Sequence, residues 1–371
     1  MRPRIGLSIA AFLGLAVAGS AVARAGYFET NLVSDVPGLA PKTDPNLKNP
    51  WGISASGASP IWVSNQGSGT STLYNGSGAP QALIVTIPNN SPTPPQGPTG
   101  QVFNGTTDFA LSSGGKAIFL FANLDGSISG WNGAQGTIAQ IHANPSAATS
   151  YTGLALGNNG AGNFLYAADN LNGKVDVYNG TFGKTSLAGS FIDPSLPSGF
   201  SAFNVQNLGG TLYVTFEHGT LGGGGVDAFD LNGNFLRRIS ANGAGGPLES
   251  PWGVALAPAG FGAFAGKLLV GNEDDGRISA FDSLTGAFAG QILDSQGNAI
   301  ANTGLWGLKF GNGGNGGDPN ALYFAAGING ETDGLFGVIT VPEPGSMTLA
   351  GLGGFLLVAF PMFKARGRRI G

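Results

Sequence analysis

Residues 250–256 read Ser-Pro-Trp-Gly-Val-Ala-Leu, 267–276 Lys-Leu-Leu-Val-Gly-Asn-Glu-Asp-Asp-Gly, 277–286 Arg-Ile-Ser-Ala-Phe-Asp-Ser-Leu-Thr-Gly, and 287–290 Ala-Phe-Ala-Gly. Each is a short apolar run bounded by glycine, proline, aspartate or asparagine, the composition of a strand between turns. The four strands make a unit, and the unit recurs. Its second strand aligns at 60–65, 118–123, 164–169, 211–216, 267–272 and 321–326, so successive copies end 46 to 58 residues apart. Third strands follow at 71–75, 127–132, 174–179, 225–230, 277–282 and 335–340, and fourth strands at 82–87, 137–142, 185–192, 235–240 and 287–293. First strands open near Trp51-Gly52-Ile53, Gly153-Leu154-Ala155, Phe203-Asn204-Val205, Trp252-Gly253-Val254 and Trp306-Gly307-Leu308. In the second unit the register is open between 101–103 and 109–111.

Six such units predict an all-β, six-bladed β-propeller, which hides its sheet edges by radial repetition. The sixth unit has only three strands before the chain changes character at Val341. The unassigned apolar stretch 27–33 is therefore expected to supply the missing outer strand and close the ring. Asn75-Gly76, Asn132-Gly133, Asn179-Gly180 and Asn232-Gly233 are expected to make hairpin turns with positive φ. The stretch 89–99, with four prolines, reads as a loop between the first two units. Trp51, Trp252 and Trp306, like Trp62 and Trp131, are read as core rather than as platforms for sugar stacking.

Composition agrees. Of 371 residues, 66 are glycine, 10% are charged and none is cysteine, so the chain is rich in turns and independent of disulfides. Ten basic and 20 acidic residues fall within 26–340, a net of −10. That balance argues against nucleic acid as a partner, which needs a basic footprint.

The ends carry an address. Arg2 and Arg4, an apolar run over 5–22, and Ala23-Arg24-Ala25 form a signal peptide expected to be cut after Ala25. At the other end Pro342, Glu343 and Pro344 precede nineteen uncharged residues, 345–363, and then Lys364, Arg366, Arg368 and Arg369. Nineteen helical residues span roughly 28 Å, enough to cross a hydrocarbon core with the cations on the cytoplasmic side. The expected domains are thus a signal peptide (1–25), a propeller (26–340) and a sorting tail (341–371).

This tail resembles the PEP-CTERM sorting signal of Gram-negative bacteria, with Pro342, Glu343 and Pro344 matching its motif residue by residue. The resemblance implies an exosortase and the export machinery as partners, an inner-membrane stage before processing, a surface or extracellular destination, and a link to exopolysaccharide or biofilm. The Asn-Pro-Trp-Gly and Ser-Pro-Trp-Gly openings at Asn49 and Ser250, with Pro98 to Asn104, resemble a family of PEP-CTERM proteins without an assigned activity. The units more distantly resemble NHL repeats, a propeller group used mainly for binding.

One constellation bears on chemistry. Turns after second strands share one face of a propeller, so Asn65, Asn123, Asp169 and Asn272, with Glu217 and Glu273 one step further, are expected to ring its mouth. Oxygen donors suit Ca²⁺, and the resemblance to lactonase-like propellers implies a metal there. The same residues can instead close turns by bonding their own backbone. His142 and His218 are the only histidines, too few for a zinc site. No Gly-x-Ser-x-Gly elbow marks a nucleophile. The sequence therefore supports two functions: a non-catalytic exported binding or matrix protein that contacts a polysaccharide or other surface partner, and a calcium-dependent hydrolase or lactonase.

Overall fold

A computed structural model describes residues 26–90, 97–145 and 148–342. The expected signal peptide (1–25), Glu343, Pro344, residues 345–363, and the cations Lys364, Arg366, Arg368 and Arg369 lie outside the described residues. Among those described, no helix is long and apolar enough to cross a membrane.

Six antiparallel sheets stand around one axis. Their innermost strands are Pro50–Ser54, Pro98–Phe103, Tyr151–Asn158, Ser201–Leu208, Pro251–Leu256 and Leu305–Phe310. The second strands are Ile61–Asn65, Phe119–Asn123, Asn163–Asp169, Thr211–Glu217, Leu268–Asn272 and Leu322–Ala326. Third strands fall at the expected places. The open register of the second blade resolves to Pro98–Phe103, and 109–111 becomes a connector. Its Phe109 and Leu111 are buried against the core of blades two and three.

Fourth strands are shorter than expected in four blades, Val85–Thr86, Gln140–Ala143, Lys184–Thr185 and Phe288–Gln291. The turns also differ. Gly76, Gly133 and Gly180 are absent from the positive-φ set, whereas Gly233 belongs to it. In the other three turns the asparagine works through its side chain: Asn75 Oδ1 accepts from Ser77 N and Ala79 N, and Asn179 Oδ1 accepts from Thr181 N and Gly183 N. Asparagine mimics a backbone turn in this way, and the left-handed residue falls later in each turn, at Gly78, Gly136 and Phe182. Gly76 serves close approach instead, since a Cβ there would lie 2.3 Å from Gly317 Cα in the sixth blade.

The ring closes as the three-strand count predicts. Phe28–Ser34 pairs antiparallel with Leu335–Thr340, and Lys42–Thr43 adds a parallel fifth strand outside it. Val33 is fully buried with Leu47, Ile53, Tyr74 and Phe336. Ser34 Oγ donates to Gly334 O at 2.7 Å, and Asp35 Oδ1 accepts from Gly334 N at 2.7 Å. The two ends of the propeller are thereby joined through side chains as well as through the ladder.

Candidate functional site

Each innermost strand shifts register against its neighbour just after its first residue or two, around Trp51, Thr99, Thr152, Phe203, Trp252 and Trp306. A bulge re-aims a side chain. Four of these six residues meet on the axis: Trp51 stacks on Trp306 with centroids 3.6 Å apart, Trp252 meets both edge-on, and Phe203 meets Trp306 edge-on. All four are buried. The tryptophans are core, as expected, but they pack as a stopper in the hub rather than as wedges between sheets.

Glycine follows at five of the six positions because the next strand is too near for a Cβ. One added to Gly52 would lie 2.4 Å from Thr99 O, one on Gly253 2.3 Å from Trp306 O, and one on Gly307 2.6 Å from Trp51 O. In the fourth blade Asn204 takes this place, and its Nδ2 donates to Trp252 O at 2.8 Å. Below the aromatic stopper only about 10 Å³ remains open between Gln101, Asn204 and Trp252. A ligand approaching along the axis must therefore rest on the stopper.

The mouth above it is the face where innermost strands begin and second strands end. Of the six expected ring residues, four turn away from it into their own blades. Asn65 Nδ2 donates to Thr70 Oγ1 and Thr72 Oγ1, Asn123 Nδ2 to Ser127 Oγ, and Asn272 Nδ2 to Pro247 O and Asp275 Oδ1. Asp169 accepts from Ser150 N and from Asn172. These four are completely buried and tie second strands to neighbouring turns. The reason is the pleat, which turns successive side chains to opposite sides: Glu217, one step beyond the aligned position at the end of Thr211–Glu217, and Glu273, just after Leu268–Asn272, take the other direction.

Glu217 and Glu273 do reach the mouth, and a third carboxyl that the repeat did not reveal, Glu331, joins them. It comes from the single helical turn Ile328–Glu331, which Asn329, Gly330 and Glu331 bend with positive φ. Amides brace the cup. Asn170 Nδ2 donates to Glu217 Oε1 at 2.7 Å, and Asn49 Nδ2 lies 3.0 Å from both Glu331 Oε2 and Gln66 Oε1. Backbone bonds carry the rim onward, from Gly304 N to Glu273 O and from Gly327 N to Gly304 O. The only sequence hint of Asn49 was the shared Asn-Pro-Trp-Gly and Ser-Pro-Trp-Gly openings: Asn49 and Ser250 are both left-handed, and Ser250 Oγ donates to Asp274 Oδ2 at 2.8 Å.

These carboxyls crowd one another. Burial, then Asp274, Glu331 and Glu217, push Glu273 up to about 8. Burial also raises Glu217 and Glu331, despite the overall exposure of Glu331. Yet among the described residues no group of three or more His, Cys, Asp or Glu side chains is placed to hold a metal ion. The ring proposed for Ca²⁺ is thus divided by the fold into four blade ties and two mouth carboxyls. The histidines are elsewhere: His142 stacks on Phe182, and His218 meets Phe200 edge-on.

No family model matches the chain. Among solved structures it is similar to a streptogramin B lyase (TM-score 0.51, 13% identity, 86% of this chain and 99% of that one). It is also similar to a PQQ-bound aldose sugar dehydrogenase from Streptomyces coelicolor (TM-score 0.51, 15% identity, 85% and 99%). Similarity at these identities is one of fold. By sequence, "Uncharacterized protein R648" of Acanthamoeba polyphaga mimivirus is 31% identical over 329 residues, 83% of this chain and 78% of that one. "Uncharacterized protein L690" of the same virus is 30% identical over 327 residues, 82% and 83%. At that identity over most of both lengths, the chain belongs to the family of these two mimivirus proteins.

Proposed function

We propose that the chain is an exported propeller that binds a polar surface ligand, such as a polysaccharide, at its stoppered mouth. Its tail marks it for PEP-CTERM sorting by an exosortase. The observation that carries the binding role is the cup itself: Glu217, Glu273 and Glu331, from three different blades, stand with Asn49, Gln66 and Asn170 over a sealed aromatic floor. The sorting role rests on the order of Pro342-Glu343-Pro344, the apolar run and the terminal cations. Replacing Pro342, Glu343 and Pro344 with alanine is expected to hold full-length protein in the inner membrane. Fractionation and immunoblotting check this, and unchanged processing would refute it.

A second reading has one observation in its favour. Glu273 keeps its proton near neutral pH beside other carboxyls, the property a general acid needs in a hydrolase or lactonase. Turnover of a lactone and ester panel, with and without Ca²⁺, lost in Glu273→Gln, would establish that reading.

A further inference from the structure

We infer that Asp193, Asp227 and Arg238 form a proton-dependent clasp, which holds the connector 191–200 on the fourth blade while the two carboxyls share a proton and releases it when that proton leaves. The inference is independent of what the mouth binds.

The connector leads from the outer edge of the third blade to Ser201–Leu208, the innermost strand of the fourth. It is tied at its start, where Gly189 N and Phe191 N donate to Asn232 O and Gly233 O at 2.8 and 3.0 Å. It is tied again where the ladder of Ser201 with Glu217 begins. Between those points, among the described residues, 192–199 make polar bonds beyond their own turn to one side chain, Arg238 of the strand Phe235–Asn242. Its Nη2 donates to Asp193 Oδ2 and, at 3.1 Å, to Ser195 Oγ. One guanidinium therefore holds the middle of the connector, helped by the packing of Leu196 and Phe200.

The same guanidinium faces a second acid. Asp227, on the strand Gly224–Phe229, has Oδ1 3.7 Å from Arg238 Nε, and both its oxygens and that Nε lack a hydrogen-bond partner. The side chains of Asp193 and Asp227 are both completely buried. Two enclosed carboxylates on one cation leave an unbalanced negative charge, so one proton has to make up the difference. Burial raises Asp193, but the bonds from Ser195 and Arg238 outweigh it and hold this carboxyl below the usual range. The proton thus belongs to Asp227, where burial first and Asp193 second push the carboxyl up to about 7. Among the described residues no further charge acts on it: the connector supplies Asp193, the fourth strand Arg238, and the second strand only Val214. Arg237 turns away to Ser283 O of the fifth blade. His218 stands beside the clasp, lining a cavity of about 370 Å³ with Arg238, Pro197 and Phe200. A folded value above the unfolded 3.8 means that this contribution is whole below about pH 3.8 and is lost as pH rises through about 7. At the connector's end Ala202 O accepts from Asn170 Nδ2, the amide that braces Glu217, so release acts next to the mouth.

The test exploits the absence of cysteine. Ser198→Cys in the full chain carries a nitroxide label at an exposed position of the connector, and electron spin resonance reads its mobility from pH 5 to pH 9. The label is expected to be slow at pH 5 and fast at pH 9, with the midpoint at about pH 7. Asp227→Asn, whose amide can donate to Asp193 at any pH, is expected to keep it slow throughout. Asp193→Asn leaves Asp227 alone with Arg238, so its carboxyl falls and the change near neutral pH is lost there too. Equal mobility at pH 5 and pH 9 without either aspartate substitution would overturn the clasp. A change that persists in both aspartate variants would also overturn it, and its loss in His218→Asn would assign it to the imidazole instead.

Discussion

Glu273→Gln should make this protein more stable in mild alkali and leave it unchanged in mild acid. The carboxyl of Glu273 is raised from 4.5 to about 8, with burial the largest cause and Asp274, Glu331 and Glu217 following. A folded value above the unfolded one means the contribution is fully present below about pH 4.5 and is lost as pH rises through about 8. The shift of roughly 3.5 units sets a ceiling near 5 kcal/mol at about 1.36 kcal/mol per unit. Glu273 is only half-buried, so solvent screening brings the expected effect down to about 2 kcal/mol. Unfolding entropy for a body of this length is roughly 0.7 kcal/mol/K, so that energy corresponds to about 3 °C. Scanning calorimetry of wild type and Glu273→Gln at pH 5 and pH 9 measures the difference. The variant should melt together with wild type at pH 5 and about 3 °C higher at pH 9. An equal shift at both values would show that the substitution acts through packing, and a lower melting point at pH 9 would refute the crowding of carboxyls altogether.

Two further perturbations probe the hub and the closure. Gly307→Ala would put a methyl group 2.6 Å from Trp51 O and 2.7 Å from Ile53 Cγ1; overpacking of this kind should cost about 1–3 kcal/mol, read as a lower urea midpoint with an unchanged slope. Val33→Asp would bury a carboxyl with no partner beside Phe336 and Tyr74; a loss of about 3 kcal/mol or more is expected, and protease resistance close to wild type would mean that the first strand is not needed to close the ring.

The architecture was legible because its signals are local and repeated. A second strand such as 267–272 with a turn after it says the same thing six times, and a three-strand sixth unit with a spare apolar stretch at 27–33 leaves one way to close. The mouth was legible only in part. Glu217 ends a second strand and Glu273 follows one, and both could be placed by register, but the inward or outward aim of Asn65, Asn123, Asp169 and Asn272 depends on the pleat at the last residue of a strand, which a one-residue ambiguity inverts. Glu331 was hidden for another reason: it reaches the opening through three consecutive positive-φ residues, a path that no hydrophobic period records. The stopper was half visible, since Trp-Gly openings announce close packing, while the bulges that turn those tryptophans to the axis appear only in the strand registers.

The distribution of strain supports the mouth as the working surface. Among the described residues seven other than glycine have positive φ; Phe109, Phe182 and Phe191 are buried aromatics on connections between strands and blades, and the other four, Asn49, Ser250, Asn329 and Glu331, belong to turns of the mouth. A left-handed side chain costs roughly 1–2 kcal/mol, less for asparagine, and such strain persists only where the surroundings impose it. Here the imposition is visible: Asn49 holds Glu331 and Gln66, and Ser250 holds Asp274. The same turns bring together carboxyls that repel one another. Two unfavourable features, strain and crowded charge, thus fall in one place. A surface shaped only for packing would have relaxed both.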